Sequence, residues 1–164
     1  MLRKFHESDI VRNVVFGVED SLVSTVGLVS GIASAGIARE TILMTGVVLV
    51  VVEAFSMAVG ALLSENAVEE AEVHREVSLK GSVVGALTMF LSYLVAGTLV
   101  IIPYLIAPTE TAFVASVVIS LLALFLLGLV SAGISKIHPV KKGIMMVLIG
   151  GCAIGVGILV GRAF

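Results

Sequence analysis

Two acidic residues sit in stretches that are apolar on both sides: Asp20, in RNVVFGVEDSLVSTVGLVSG, and Glu53, in VLVVVEAFSMAVG. If these stretches cross lipid, each carboxyl needs a proton, a cation or a hydrogen-bond donor. Insertion scales put an ionised Asp at a helix centre at roughly 2.5–3.5 kcal/mol, so such residues normally face a bundle interior or a watery path. Helical spacing shows what accompanies them. Asp20, Ser24, Gly27 and Gly31 fall at i, i+4, i+7 and i+11, one polar and small stripe, and Glu53, Met57, Gly60 and Ser64 repeat the pattern. A carboxylate and a thioether one turn apart pair a hard with a polarizable ligand, which suits a borderline ion such as Fe²⁺ better than Mg²⁺ or Ca²⁺. Two plainer readings stand beside this one: a protonated carboxyl acting as a structural hydrogen-bonder, and Met57 as core packing. Glu19 is rotated from Asp20 by about 100° and fits a structural or headgroup-level role.

A second cluster follows the Glu53 stretch. Glu65, Glu69, Glu72 and Glu76 again fall at i, i+4, i+7 and i+11, with Glu70 and His74 one turn apart on an adjacent face. Like charges stacked at i+4 disfavour a helix, a cost that a bound cation would relieve. Arg75 and Lys80 offer the alternative of a solvated helix end with its own counter-charges. His6 and His138 flank membrane entrances and read as interfacial. Cys152, the only cysteine, reads as a small buried hydrophobe.

These residues require membrane-crossing elements to hold them. Of 164 residues, 59% are hydrophobic and 13% charged, against about 25% charged in ordinary globular domains. The formal net charge of -2 leaves no broad basic surface for nucleic acid. Five stretches, near residues 13–37, 41–65, 81–106, 111–135 and 142–163, approach or exceed the roughly 20 apolar residues that span a bilayer. Continuous runs such as Val47 to Val52 lack the alternation of β-barrel strands, which leaves helices to satisfy the backbone in lipid. The first run carries Glu19 and Asp20 and outlasts a signal-peptide core, so it reads as a retained helix. The expected fold is an all-α membrane protein, a single transmembrane domain over 1–164 with a short Glu-rich cytoplasmic segment at 65–80. With the N-terminus in the cytoplasm, Arg3, Lys4, Arg12, Arg75, Lys80, Lys136, Lys141 and Lys142 lie inside and only Arg39 and Arg162 outside. The C-terminus is then non-cytoplasmic, Pro103 and Pro108 flank an outer turn, and Pro139 breaks the inner turn before the last helix. The short link at Arg39 makes the first two helices antiparallel neighbours whose stripes could face each other. Gly27 with Gly31, Gly151 with Gly155 and Gly157 with Gly161 allow close helix contact, within a monomer or across a dimer.

Three segments resemble the vacuolar iron transporter family: Arg12 to Gly31, Glu53 to Ser64 (EAFSMAVGALLS) and the glycine-bearing last helix. The first is similar to the family's opening pattern of an aspartate followed by Gly-Leu, the second to its Ser-Met-Ala-x-Gly-Glu segment. The resemblance implies five-helix subunits in a homodimer, with an ion path between subunits lined by the first two helices. It also implies export of Fe²⁺, and sometimes Mn²⁺, from the cytosol in exchange for protons, with no resident cofactor. Asp20 matches the family's first-helix aspartate and Met57 its second-helix methionine, and Glu53 has a counterpart by position. Two residues depart from the pattern: Ser21 stands where Gly is usual and Ala61 where Glu is usual. Longer members insert a Glu-rich metal-binding domain between helices two and three, which here shrinks to the acidic segment from Glu65 to Glu76.

The sequence therefore reads as a divalent metal transporter with metal ligands drawn from Asp20, Glu53, Met57, Glu65, Glu69, Glu72 and Glu76. Its partners would be the metal ion, the lipid bilayer and a second copy of itself. It would lie in the cell membrane of a prokaryote or a vacuolar-type membrane of a eukaryote. The rival reading is a membrane-embedded assembly or scaffold subunit whose acids pair with another protein's basic residues. An enzyme is disfavoured: there is no His-Glu-x-x-His arrangement, and no base stands near the serines or Cys152 in sequence.

Overall fold

A computed structural model describes residues 7–163, so Arg3, Lys4 and His6 lie outside the described residues. Five α-helices follow in order: α1 (Glu7–Ser34), α2 (Arg39–Val73), α3 (Val83–Ile106), α4 (Thr109–Ser135) and α5 (Pro139–Ala163), with a 3₁₀ turn at Leu79–Gly81 before α3. All five are long and apolar enough to cross a membrane, and no strand occurs among the described residues. The protein is an all-α, multi-pass integral membrane protein.

The links between helices have identifiable local causes. Gly36 takes φ 73 in the α1–α2 link, in the left-handed region that a residue without Cβ adopts freely. After α4, Lys136 adopts φ 54 and the Ile137 N–H reaches back to Ala132 O at 3.1 Å, closing the helix with a Schellman-type bond. Pro139 then opens α5, a first-turn position where its missing N–H costs nothing. Pro103 and Pro108 flank the α3–α4 turn as expected: Pro103 lies in the last turn of α3, its carbonyl accepting from Ala107 N at 3.0 Å, and Pro108 directly precedes α4. Arg39 fastens the same end, donating to Tyr104 O at 2.6 Å and Leu105 O at 2.5 Å, carbonyls left open by the end of α3.

Helix α2 runs to Val73, two turns past the apolar stretch ending near residue 65. Hydropathy marks where lipid stops, and a polar helix can continue beyond it. At His74 the chain turns into φ 54, and the Glu70 carboxylate accepts from Val77 N at 3.2 Å. Glu76 therefore falls outside the helix, and the expected four-residue acidic row ends at Glu72.

Helix α1 is the hub. It touches α2, α3, α4 and α5, while the other four form an arc in which α2 meets α3, α3 meets α4 and α4 meets α5. The arc does not close, since α2 and α5 make no substantial contact. The core around α1 is built from Leu22, Val26 and Val29 with Val100, Tyr104, Leu124 and Met146. The outer surfaces carry Val48, Val52 and Phe55 of α2 and Leu122, Leu126 and Val130 of α4, an apolar belt suited to lipid. As expected, α1 and α2 are neighbours, though α2 packs more extensively on α3.

The α1–α5 contact is made of main chain. A Cβ at Gly31 would stand 2.8 Å from Gly157 O, one at Gly157 would run into Gly27 O, and one at Gly161 into Gly31 O. Gly27, Gly31, Gly157 and Gly161 thus close a seam within one chain, whereas a Cβ at Gly151 or Gly155 meets open space. Gly157→Val should destabilise the fold by about 1–3 kcal/mol, as overpacking does. Gly151→Ala should stay within about 1 kcal/mol of the parent. Thermal unfolding midpoints of the two variants in detergent check this contrast.

Candidate functional site

Asp20 on α1 and Glu53 on α2 are half-buried and close enough to interact electrostatically, with Glu19 also in reach of Asp20. Among the described residues neither Asp20 nor Glu53 accepts a hydrogen bond or forms an ion pair. No neighbouring donor seals them. The two carboxyls expected from sequence thus lie within electrostatic reach of each other.

Tyr93 on α3 completes the setting, and sequence reasoning missed it. Its side chain is fully buried, and its hydroxyl lies 2.7 Å from Ser24 Oγ, one turn along α1 from Asp20. Its ring feels the charge of both Asp20 and Glu53. One signal was available: Tyr93 is a phenol midway along an otherwise apolar run, where its O–H must find a partner. Ser21, at the position where glycine is usual in the resembled family, donates to Tyr93 O at 2.7 Å and locks α1 to α3 at the same level. Its hydroxyl is used structurally.

Below this level, toward the α2–α3 link, lies a cavity of about 740 Å³ between α1, α2 and α3. Met57, Gly60 and Ser64 of the α2 stripe line it, with Ser56, Ala61, Glu65 and Val68, and α1 contributes Arg12, Asn13 and Phe16. Met89 of α3, absent from the sequence reading, lines the same space. The α1 stripe divides instead: Asp20 turns toward Glu53, whereas Ser24, Gly27 and Gly31 line an apolar groove of about 520 Å³ shared with α5.

The acidic segment also divides. Glu65 Oε1 accepts from Arg12 Nη2 at 3.0 Å and from Asn13 Nδ2 at 2.8 Å. Glu69 is buried near Gly81. Glu72 and Glu76 are exposed and stand apart from both carboxyl and cavity. Among the described residues no three His, Cys, Asp or Glu side chains converge to enclose an ion. The chain thus offers a carboxyl pair at depth and a thioether-lined cavity one helical turn from it, hard and soft donors in series.

The sequence profile of the VIT family matches residues 11–80 and 68–162. This chain belongs to the VIT family. Its relatives include proteins named vacuolar iron transporter 1 from Tulipa gesneriana, 23% identical over 92% of this chain and 85% of the relative, and from Eucalyptus grandis, 24% identical over 91% and 84%. The corresponding protein of Arabidopsis thaliana is 22% identical over 92% of this chain and 84% of the relative. The Tulipa alignment runs over 211 positions, more than the 164 residues present here, so that relative carries segments this VIT chain lacks. The two family matches meet at 68–80, where α2 gives way to the link before α3.

Tyr93→Phe keeps the ring and removes the Ser24 hydrogen bond. It should cost about 0.5–1.5 kcal/mol, the usual net worth of such a bond, read as a lowered unfolding midpoint with helix content unchanged.

Proposed function

We propose that this VIT family chain is a transporter of divalent transition metal, carrying Fe²⁺, and also Mn²⁺, out of the cytosol in exchange for protons. The observation that carries the reading is the Asp20–Glu53 pair, which sits within lipid-crossing helices and has no hydrogen-bond donor or cation assigned to it. Two adjacent carboxyls at membrane depth are electrically neutral in two states, with two protons or with one divalent cation. Exchange between those states is antiport. The names of the plant relatives, vacuolar iron transporter 1, support iron as cargo.

Met57 is the residue on which selectivity would rest, since a thioether next to carboxylates favours Fe²⁺ over Mg²⁺ and Ca²⁺. Glu65, at the cavity, would receive the ion from the cytosol, and Glu69, Glu72 and Glu76 would add negative charge to the same end of the molecule. The lysine and arginine distribution supports this orientation, with the N-terminus and the α2–α3 link in the cytoplasm and the C-terminus outside. A homodimer, which the family resemblance implies, belongs to this reading. Phe16, 51% exposed, lies one turn from Asp20 at the cavity between α1, α2 and α3, and a second copy would shield it from lipid and close a path at the subunit boundary. The scaffold reading, in which these acids pair with another protein's basic residues, finds less support, because the plant relatives are named as transporters.

Purified protein in liposomes should take up Fe²⁺ and Mn²⁺, faster when the lumen is acidic, and release roughly two protons per ion if the carboxyl pair is the exchanging unit. Asp20→Asn and Glu53→Gln should each lower uptake by roughly ten- to hundredfold, at least the loss typical when a metal site's supporting residues are changed. Uptake unchanged in both variants would sink the mechanism. Met57→Leu, which conserves volume, should narrow the preference for Fe²⁺ over Mg²⁺ in a competition flux assay while folding is retained.

A further inference from the structure

The Arg12–Glu65 contact stands at the cavity mouth, on the side that the proposed orientation gives to the cytosol. Both residues line the cavity, together with Asn13 and Ser64. Glu65 is nearly enclosed, its side chain 11% exposed, while Arg12 is 59% exposed. The Glu65 carboxylate lies over Gly85 of α3, where a Cβ would collide with it, so the group is held from behind by a main-chain surface and open toward α1 and the cavity. Only Oε1 is engaged, by Arg12 Nη2 at 3.0 Å and Asn13 Nδ2 at 2.8 Å. Among the described residues Oε2 has no hydrogen-bond donor.

A fixed guanidinium at the opening of a cation path would oppose the cargo by charge repulsion. Arg12, however, is placed between two carboxylates: its Nη1 is 3.7 Å from Asp9 Oδ1, while its Nη2 holds Glu65. It can release one and keep the other. The exposed end of the pair is the arginine, so the bond is shielded on the glutamate side and reachable by solvent on the other. A divalent cation arriving at Glu65 would find a carboxylate already seated and half-engaged, and next to it Ser64 and the cavity that leads to Met57.

We infer that Arg12 is a built-in counter-ion that occupies Glu65 when no metal is present, and that a divalent transition-metal ion enters the cavity by displacing the guanidinium from Glu65 toward Asp9. Arg12 is here a positioning residue that competes with the cargo, and Asn13 keeps the carboxylate aimed during the exchange. The inference rests on the transport reading and adds to it the step by which the ion gains the cavity. It also assigns the polar tie between α1 and α2 a second role: metal at Glu65 removes the charged link between those helices.

Competition has a sign that a structural ion pair lacks. Mn²⁺ binding to the full-length protein in detergent, by titration calorimetry with free Mn²⁺ followed by electron paramagnetic resonance, is measured for the parent, Arg12→Gln, Glu65→Gln and the double variant. Arg12→Gln should bind Mn²⁺ more tightly, by roughly threefold or more for release of a partly exposed pair. Glu65→Gln should bind more weakly, and the double variant should match Glu65→Gln alone. Affinity in Arg12→Gln that is unchanged or weaker overturns the inference, as does a gain that persists in the double variant. Should Arg12→Gln not fold, Arg12→Lys takes its place: it keeps the charge but loses the planar two-carboxylate reach, and must lie on the tighter side of the parent. Flux that depends on Asp20 and Glu53 with no Arg12 effect on affinity defeats this inference alone. Absence of both flux and Mn²⁺ binding in the parent defeats the transport reading itself.

Discussion

Hydrocarbon offers nothing to a carboxylate, and the arrangement of this bundle follows from having to keep two of them inside it. Asp20 and Glu53 belong to different helices and lie within electrostatic reach of each other and of Tyr93, whose hydroxyl bonds to Ser24. Ser21 and Ser24 both bond to Tyr93 and align α1 with α3, and neither donates to the acids. Filling the core around α1 with Leu22, Val26 and Val29 holds that helix in place without using any polar group near the pair.

Much of the fold was readable because lipid imposes a coarse code. Long apolar runs separated by charged or proline-bearing links admit few solutions, and all five helices appear where those runs lie. What escaped was anything decided outside hydrocarbon or by lateral packing. The polar extension of α2 to Val73 carries no hydropathy signal, and the left-handed turn at His74 that removes Glu76 from the acidic row is a local conformational choice. Pro103 sits inside the last turn of α3, where little helix remains beyond it for the missing N–H to disturb.

The candidate site was legible in part for a related reason. Spacing along one helix can be counted, so the Glu53, Met57, Gly60, Ser64 stripe was visible, and its last three members do line one cavity. Which helix lies opposite cannot be counted from spacing. Loop length rightly put α2 beside α1, but it carried no sign that α3 packs against both and contributes Tyr93 and Met89. The stripe on α1 was likewise real but served two neighbours, Asp20 turning to α2 and the glycines to α5.

The glycine seam between α1 and α5 has a mechanical consequence. Side chains that interdigitate can switch rotamers and let two helices slide, but Gly31 and Gly157 present carbonyls and Cα atoms with nothing to rotate. Any rearrangement that carries Asp20 must therefore drag α5 along as one rigid lever, and α2, more lightly attached to α1, is the natural element for that lever to swing against.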